Sequence, residues 1–466
     1  MSLDNRPDQD ITSEVKVQIG VPNAEYGRTS GGVVSYITRS GSNDLHGNLT
    51  GFLRNTILDA RPYNAANRSR DQDWEMADSV GGPVYIPHVY DGRNKTFFFF
   101  NLTIFRQPPT ANPGTVTVPT AQERTVDFSD FPEPIYDPTT RLQFPGNVIP
   151  SNRIGATATF LNKLYPLPTD SNLVNNYTGT TPGYNKQTDW FLRIDQSFTK
   201  NRVSGSFRAR STPALLSEGP PFGDALSSNF TPRGISQFTL TDDWVISPRV
   251  VNHFAASEVG FHITQNSQPL NLADWPHIPN TYVPAFPSFC FVTNGYAPMG
   301  MGLGNCSVNS VNYEIDRSRD VQDSIAWVRG KHSMKFGARY LWFQAATGQL
   351  DTRSGAYQFS NAETAQVVNG AVVQGTGNSY ASFLLGDVHS ATMQNNPFPS
   401  QHSQSIGLYA QDDFKVSKKL TISYGLRWDY QGAEWEQNDQ MSEMSLTLPN
   451  PGAGNLPGAY RFARQT

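Results

Sequence analysis

The sequence predicts an all-β fold, an antiparallel transmembrane β-barrel, from three observations. First, strand-length runs come in pairs joined by short turns: Trp190–Phe198 with Arg202–Arg210, Ser236–Ile246 with Val250–Phe261, Val321–Val328 with Ser333–Phe343, and Ser405–Val416 with Leu420–Tyr430. Second, the runs alternate. Leu420, Ile422, Tyr424, Leu426, Trp428 and Tyr430 stand opposite Thr421, Ser423, Gly425, Arg427 and Asp429, so each strand carries one apolar and one polar face. Third, the connections between pairs are long: Ser211–Ile235, His262–Asp320 and Ala345–Gln404. Short turns at one end and long loops at the other are how membrane barrels are built. A soluble extracellular β-sandwich for binding or adhesion gives the same alternation. Loop asymmetry and strands of about eleven residues, enough to cross a bilayer when tilted, favour the barrel.

Composition agrees. Of 466 residues, 16% are charged, against about 25% in soluble domains; aromatics reach 12%, with Gly 38 and Pro 33. No apolar run approaches the ~18 residues of a membrane helix. A helical membrane protein is excluded, whereas a barrel, with its polar lumen and loops, is not. The net charge of -4 comes without a Lys/Arg cluster, so nucleic acid is not an expected partner. The cysteines are Cys290 and Cys306. A local pair in a Gly/Pro/Asn-rich segment reads as a disulfide in an oxidising compartment, the other reading being two unrelated thiols. The opening residues Met1–Arg6 are polar and show no signal-peptide pattern.

In chain order, Val15–Ile19 and Gly32–Arg39 read as short strands, followed by Gly47–Leu53 and a polar connection, Asp59–Asp73. Gly81-Gly82-Pro83 reads as a turn before the aromatic strand that ends Phe97–Phe100. Residues 107–188 are Pro/Thr/Asn-rich and read mostly as loop, with a candidate helix at Ala156–Leu164. In 345–404, Gly355–Ser360 reads as a strand. Tyr380–Gly386 fits either a glycine-capped helical turn or the start of a strand. Pairs such as Tyr340/Trp342 and Trp428/Tyr430 cluster toward strand ends, as in an interfacial aromatic girdle.

Two stretches resemble a known family. Glu25-Tyr26-Gly27-Arg28, Gly31-Gly32-Val33-Val34 and Ile37-Thr38-Arg39-Ser40-Gly41 are similar to the end of the plug domain of TonB-dependent outer-membrane transporters. Gln411-Asp412-Asp413-Phe414 with Gly425-Leu426-Arg427-Trp428-Asp429 resembles a hairpin of their barrels, and Gly330–Gly337 with Asn378–Gly386 is similar to the Oar-like branch. The resemblance implies residues 1–45 as the end of a plug and 46–466 as a partial barrel with long extracellular loops. It also implies active transport across the bacterial outer membrane, with outer-membrane lipid, an unknown ligand and a TonB-type energy-transducing complex as partners. The last would act through N-terminal parts that this chain lacks. About a dozen strands, against roughly twenty-two for the family, imply an incomplete wall and a piece of a longer transporter. Glu25, Arg28 and Arg39 are expected to contact the lumen wall, for instance Arg39 an acidic strand residue.

No catalytic constellation emerges. Neighbours in Asp242-Asp243 and Asp412-Asp413 point to opposite faces of a strand and cannot share a substrate. The eight histidines show no HxH or HExxH spacing. Gly300-Met301-Gly302-Leu303-Gly304 lacks the strand-to-helix context of a phosphate loop. The expectation is a non-enzyme without cofactor or metal.

Overall fold

The computed structural model describes residues 9–20, 23–29, 31–61, 63, 72–217, 228–264, 266–267, 287–297, 299, 312–349, 355–392 and 399–463. β1 (Thr12–Ile19) and β2 (Gly32–Thr38), the latter rich in β-branched residues, pair as an antiparallel hairpin by themselves. The dominant element is one antiparallel sheet of fifteen strands, short pieces included; the remaining strands form small separate sheets of two or three. Its long members are β3 (His46–Asn55), β4 (Gln72–Pro83), β5 (Thr96–Val116), β6 (Tyr177–Ser197), β7 (Asn201–Thr212), β8 (Arg233–Ser247), β9 (Val250–Thr264), β10 (Asn312–Arg329), β11 (His332–Gln349), β12 (Ser400–Lys415) and β13 (Thr421–Gln431). Each pairs with the next in sequence. Among the described residues the wall is open: β3 pairs only with β4, and β13 only with β12.

Alternation becomes two chemically distinct surfaces. Register aligns Phe336, Ala410 and Leu426 across three strands, and Ala338, Leu408 and Trp428 in the next row. This face is apolar and open, with Leu426 76% exposed. The opposite face carries ion pairs: Arg208 and Arg210 on Asp189, Arg193 on Asp195, Arg339 on Asp320 and Arg427 on Asp429. Water and lipid thus have separate sides, as a membrane barrel requires. The girdle residues Tyr340, Trp342, Trp428 and Tyr430 lie on the apolar face; Trp428 stacks beside Tyr430, and Arg319 sits over the Trp342 ring.

One local expectation is corrected. Gly81-Gly82-Pro83 is no turn: it ends β4, paired with Phe99, Phe98 and Phe97, because strands on the flank override the local signal. Residues 107–188 are mostly loop, as expected, but that loop is confined to 117–176: β5 continues to Val116 and β6 begins at Tyr177, the two paired to their ends. The tail beyond Tyr430 contains a hairpin, Ser442–Asn450 with Leu456–Phe462, in which Met444, Leu446 and Leu448 alternate with Glu443, Ser445 and Thr447.

The largest apolar core lies outside the wall. Residues 117–165, 288–297 with 299, and 356–385 come together around Phe128, Ile135, Ile149, Leu161, Phe291, Phe359, Tyr380 and Phe383. The expected helix is α1 (Ala156–Asn162); the open choice at Tyr380–Gly386 resolves as a second helix, α2 (Ser379–Leu385). Asn378 caps its start, accepting from the Tyr380 and Ala381 N–H groups, and Gly386 closes it at φ 77°. Polar bonds stitch the segments together. Tyr296 Oη donates to Glu123 Oε1 at 2.5 Å, Tyr380 Oη to Asn162 Oδ1 at 2.5 Å, and Gly155 N to Leu384 O at 3.0 Å. Cys290 is buried in this cap, and Cys306, its expected disulfide partner, lies outside the described residues.

Burial holds the Glu123 carboxyl above the usual carboxylate range, while the bonds from Arg153 hold Asp137 well below it. With a raised folded value, the contribution of Glu123 is complete below its unfolded pKa and lost as pH rises through the folded one. That of Asp137 is present above its unfolded value and lost as pH falls. Protection of the cap amides, with the intrinsic pH dependence of exchange divided out, should therefore fall on both sides of a mildly acidic optimum, and Glu123→Gln should flatten the alkaline limb only. In the wall, Leu426→Arg should cost about 2–4 kcal/mol near the bilayer midplane, with Ser423→Ala mild. Spin labels at the two sites should respond to lipid-soluble and water-soluble quenchers respectively.

Candidate functional site in the barrel lumen

The polar face of the wall is occupied by the β1–β2 hairpin and its flanks, which are tied at two places. At the first, residues 24–28 lie against β11–β13. The Ala24 N–H donates to Gln411 Oε1 at 3.0 Å, and Arg427 Nη1 donates to the Ala24 and Glu25 carbonyls at 3.3 and 3.1 Å. Asp429 aims that guanidinium, accepting from Arg427 Nε at 2.8 Å. Glu25 pairs with Lys335, and Arg28 Nη1 donates to Ser405 Oγ at 3.2 Å. Gly27 faces Arg427 so closely that a Cβ would stand 2.2 Å from its Nε.

The second tie lies on β5–β7. Arg193 Nη1 donates to Thr38 O and Oγ1 at 3.1 and 2.7 Å. Arg193 is held bidentate by Asp195, which also accepts from Ser204 Oγ at 2.5 Å and Ser40 Oγ at 2.8 Å. Beside it Ile11 packs on Phe99 and Phe191 in a small apolar core. A Cβ on Gly41 would fall 2.2 Å from the Phe98 carbonyl oxygen, so only glycine lets the chain pass here. In a flat sheet β5 and β12 would stand about 34 Å apart at ~4.8 Å per strand. One short hairpin touching both means the wall curves around it.

The residues singled out in the sequence therefore divide. Glu25, Gly27, Arg28, Thr38 and Gly41 meet the wall, and Gln411, Arg427 and Asp429 are among their partners or positioning groups. Gly425 belongs to the same face, beside Ala24. Tyr26 is half-buried next to Glu25 and Lys335. Gly31 lies in the hairpin connection, and Gly32 opens β2 opposite Ile19. Arg39 does not reach an acidic wall residue: its Nε donates to Thr12 O at 3.3 Å. The cation at that end comes instead from the wall, as Arg193. Asp412, Phe414 and Trp428 point outward and Asp413 inward, a split that period two dictates. Sequence reasoning missed Arg193, Asp195, Lys335 and Ser405 as partners. The Arg-x-Asp repetition of 193/195 and 427/429, each a guanidinium aimed by a carboxylate two residues on, was the available signal.

Beside Arg28 the hairpin and wall leave a cavity of about 380 Å³, lined by Phe261, Asp320, Arg339, Phe343 and Ser403 among others. Among the described residues no group of His, Cys, Asp and Glu is arranged to hold a metal ion. The site offers hydrogen-bonding and charged groups around a blocked lumen.

A curved antiparallel wall with an apolar exterior, a charged interior and an obstructing hairpin defines an outer-membrane barrel protein. The chain belongs to the outer membrane beta barrel domain family, whose model matches residues 37–466; its location is the bacterial outer membrane. No curated protein matches it in sequence. Among solved structures it is similar to the outer membrane transporter YddB from Escherichia coli, at 10% identity and a TM-score of 0.50, covering 90% of this chain and 43% of that one. It is also similar to the ferric enterobactin receptor PfeA from Pseudomonas aeruginosa (10% identity, TM-score 0.46, 93% and 46% covered). A third is the copper transporter OprC (8%, 0.40, 97% and 48%). The chain spans less than half the length of each of these three. The expected family and location are borne out; the Oar-like branch goes beyond them.

If Arg193 is the main counter-charge of fully buried Asp195, Arg193→Ala should destabilise the folded protein by about 3 kcal/mol and release the hairpin. Gly27→Val should release only the 24–28 end. Limited proteolysis should show cleavage within 9–41 in both variants, with heat-modifiable gel migration of the wall retained in the second.

Proposed function

We propose that the chain is the closing part of a plug and part of the wall of a TonB-dependent transporter, carrying a substrate inward across the outer membrane. Residues 1–45 are the plug end and 46–466 the barrel portion. The observation that supports this most is how the hairpin is held. Among the described residues it shares no ladder with the wall and is fastened at its two ends through side-chain hydrogen bonds and ion pairs, so it can be moved without breaking the sheet. An energised periplasmic partner of the TonB type would supply that displacement, and the ligand would enter from the long-loop side. The solved neighbours include a ferric enterobactin receptor and a copper transporter. The substrate of this chain is not assigned from them.

A passive porin is the competing reading for a barrel, and permeability separates the two. Cells carrying the wild-type chain in the outer membrane should stay resistant to vancomycin, and deletion of residues 9–41 should sensitise them. Wild-type cells that are already permeable, or a deletion without effect, would overturn the obstructing role. Collapse of the proton gradient should also slow labelling of a cysteine placed at Ala24, if energy input displaces the hairpin.

A further inference from the structure

We propose that the lumen cavity beside Arg28 binds a short peptide with free ends. Its C-terminal carboxylate would sit on Arg28, an apolar side chain on the wall, and its N-terminal ammonium at Asp316. The proposal rests on the transport reading, whose substrate class it names. The cavity lies on the long-loop side of the hairpin. Glu25 meets the wall at Lys335, close to the short turn, whereas Arg28 reaches Ser405 in the row of Leu341. From there the cavity extends up the wall to Asp316. Its floor is Ile235, Val259, Phe261, Leu341 and Phe343. The register puts these on the inward face, in rows with Asp316, Ser318 and Asp320. Alternation breaks here: Tyr340, Leu341, Trp342 and Phe343 run consecutively, so β11 is apolar on both sides. Phe343 is 38% exposed. Apolar side chains gathered on an aqueous lumen wall mark a place where something binds.

Two charges at opposite ends select the occupant. Arg28 is exposed, and its Nη1 donates to Ser405 Oγ at 3.2 Å. Among the described residues it has no carboxylate partner. By contrast, Arg193, Arg208, Arg339, Arg427 and Lys335 each sit on a carboxylate. A guanidinium fork left open to a cavity suits a ligand carboxylate. At the far end Asp316 has no basic partner among the described residues. Glu314, two residues away on the same face, is hydrogen-bonded to it. Adjacent carboxylates repel an anion and attract an ammonium. Between the ends, Asp320 and Arg339 neutralise each other. Separation sets the length. The rows of Ser405 and Asp316 are four residues and two strands apart, about 17 Å at the backbone. Both side chains reach inward and shorten that span. An extended peptide of about three to five residues covers ~10–17 Å. A single amino acid is too short. A hydrophobic monoacid leaves Asp316 uncompensated, and a polyanionic metal complex is repelled there. A peptide with an apolar side chain meets the fork, the floor and the acidic end together.

The test uses the full chain purified from the outer membrane in detergent. It is mixed with random-sequence peptides of graded length in three forms: free, C-terminally amidated and N-terminally acetylated. Peptides that stay with the protein through gel filtration are quantified by mass spectrometry. Free peptides of about three to five residues carrying an apolar side chain should be enriched, and blocking either end should lower retention at least tenfold. Arg28→Gln should erase the preference for free over amidated peptides, and Arg28→Lys, which keeps the charge, should retain it. Asp316→Asn should erase the preference over acetylated peptides, and Phe343→Ser should weaken binding of all forms. Limited proteolysis within 9–41 checks that the hairpin stays seated in each variant. Binding needs neither an energised partner nor a proton gradient. It can therefore fail while deletion of the hairpin still sensitises cells, and it can hold where the hairpin proves immobile. No enrichment at any length, as when a protein segment covers the patch, would overturn the proposal. So would equal retention of free and blocked peptides, or an intact preference in Arg28→Gln.

Discussion

Everything in this molecule follows from the cost of leaving a backbone amide or carbonyl unpaired in hydrocarbon, several kcal/mol for each group. Between its two open edges, a sheet that satisfies its own ladder is the answer the sequence encodes, each long strand pairing with its neighbour in sequence. Pairing then imposes period two, and period two separates the solvents. The side chains that meet lipid and those that meet the lumen are chosen by parity alone. That is why one residue, Asp412, serves the outside while Asp413 serves the inside.

The inward face turns charge into position. Arg427 and Arg193 are each aimed by a carboxylate two residues further on, and each spends donors on backbone carbonyl groups of the hairpin. A guanidinium already oriented loses less freedom on bonding than a free one. The contacts that hold the hairpin are therefore few but well directed. Bonds to charged groups of this kind contribute about 1.5–3 kcal/mol each, enough to seat a segment and small enough to be undone together.

Much of this was legible in the sequence because alternation is a local property. The strands from Trp190 onward, the outward facing of Trp342 and Trp428, and the wall contacts of Glu25 and Gly27 could be read from spacing and from a glycine-rich motif. What could not be read depends on residues far apart in the chain. The partner of Glu25 is Lys335 and that of Thr38 is Arg193, and nothing near either residue specifies the other. Arg39, the evident cation beside Thr38, was the natural guess for the second contact, yet the hairpin's own Thr12 carbonyl takes its Nε. Pro and Gly misled for a related reason. They signal turns in isolation, but Gly82–Pro83 and the prolines of late β5 lie at strand ends that keep one paired neighbour and leave the other side open, where proline is tolerated.

The cap carries a consequence for how the chain matures. Its core draws on Phe128 and Leu161, on Phe291, and on Tyr380 and Phe383, three groups delivered by three different crossings of the bilayer. None of them can close a core alone, so each passes outward as exposed aromatic chain and waits for the last to arrive. The cap can close only once the loop after β11 has delivered Tyr380 and Phe383. The same dependence ties the three loops together over evolutionary time: a change of length in one is tolerated only if its buried rings still reach the other two, so the surface can diversify while the interior stays fixed.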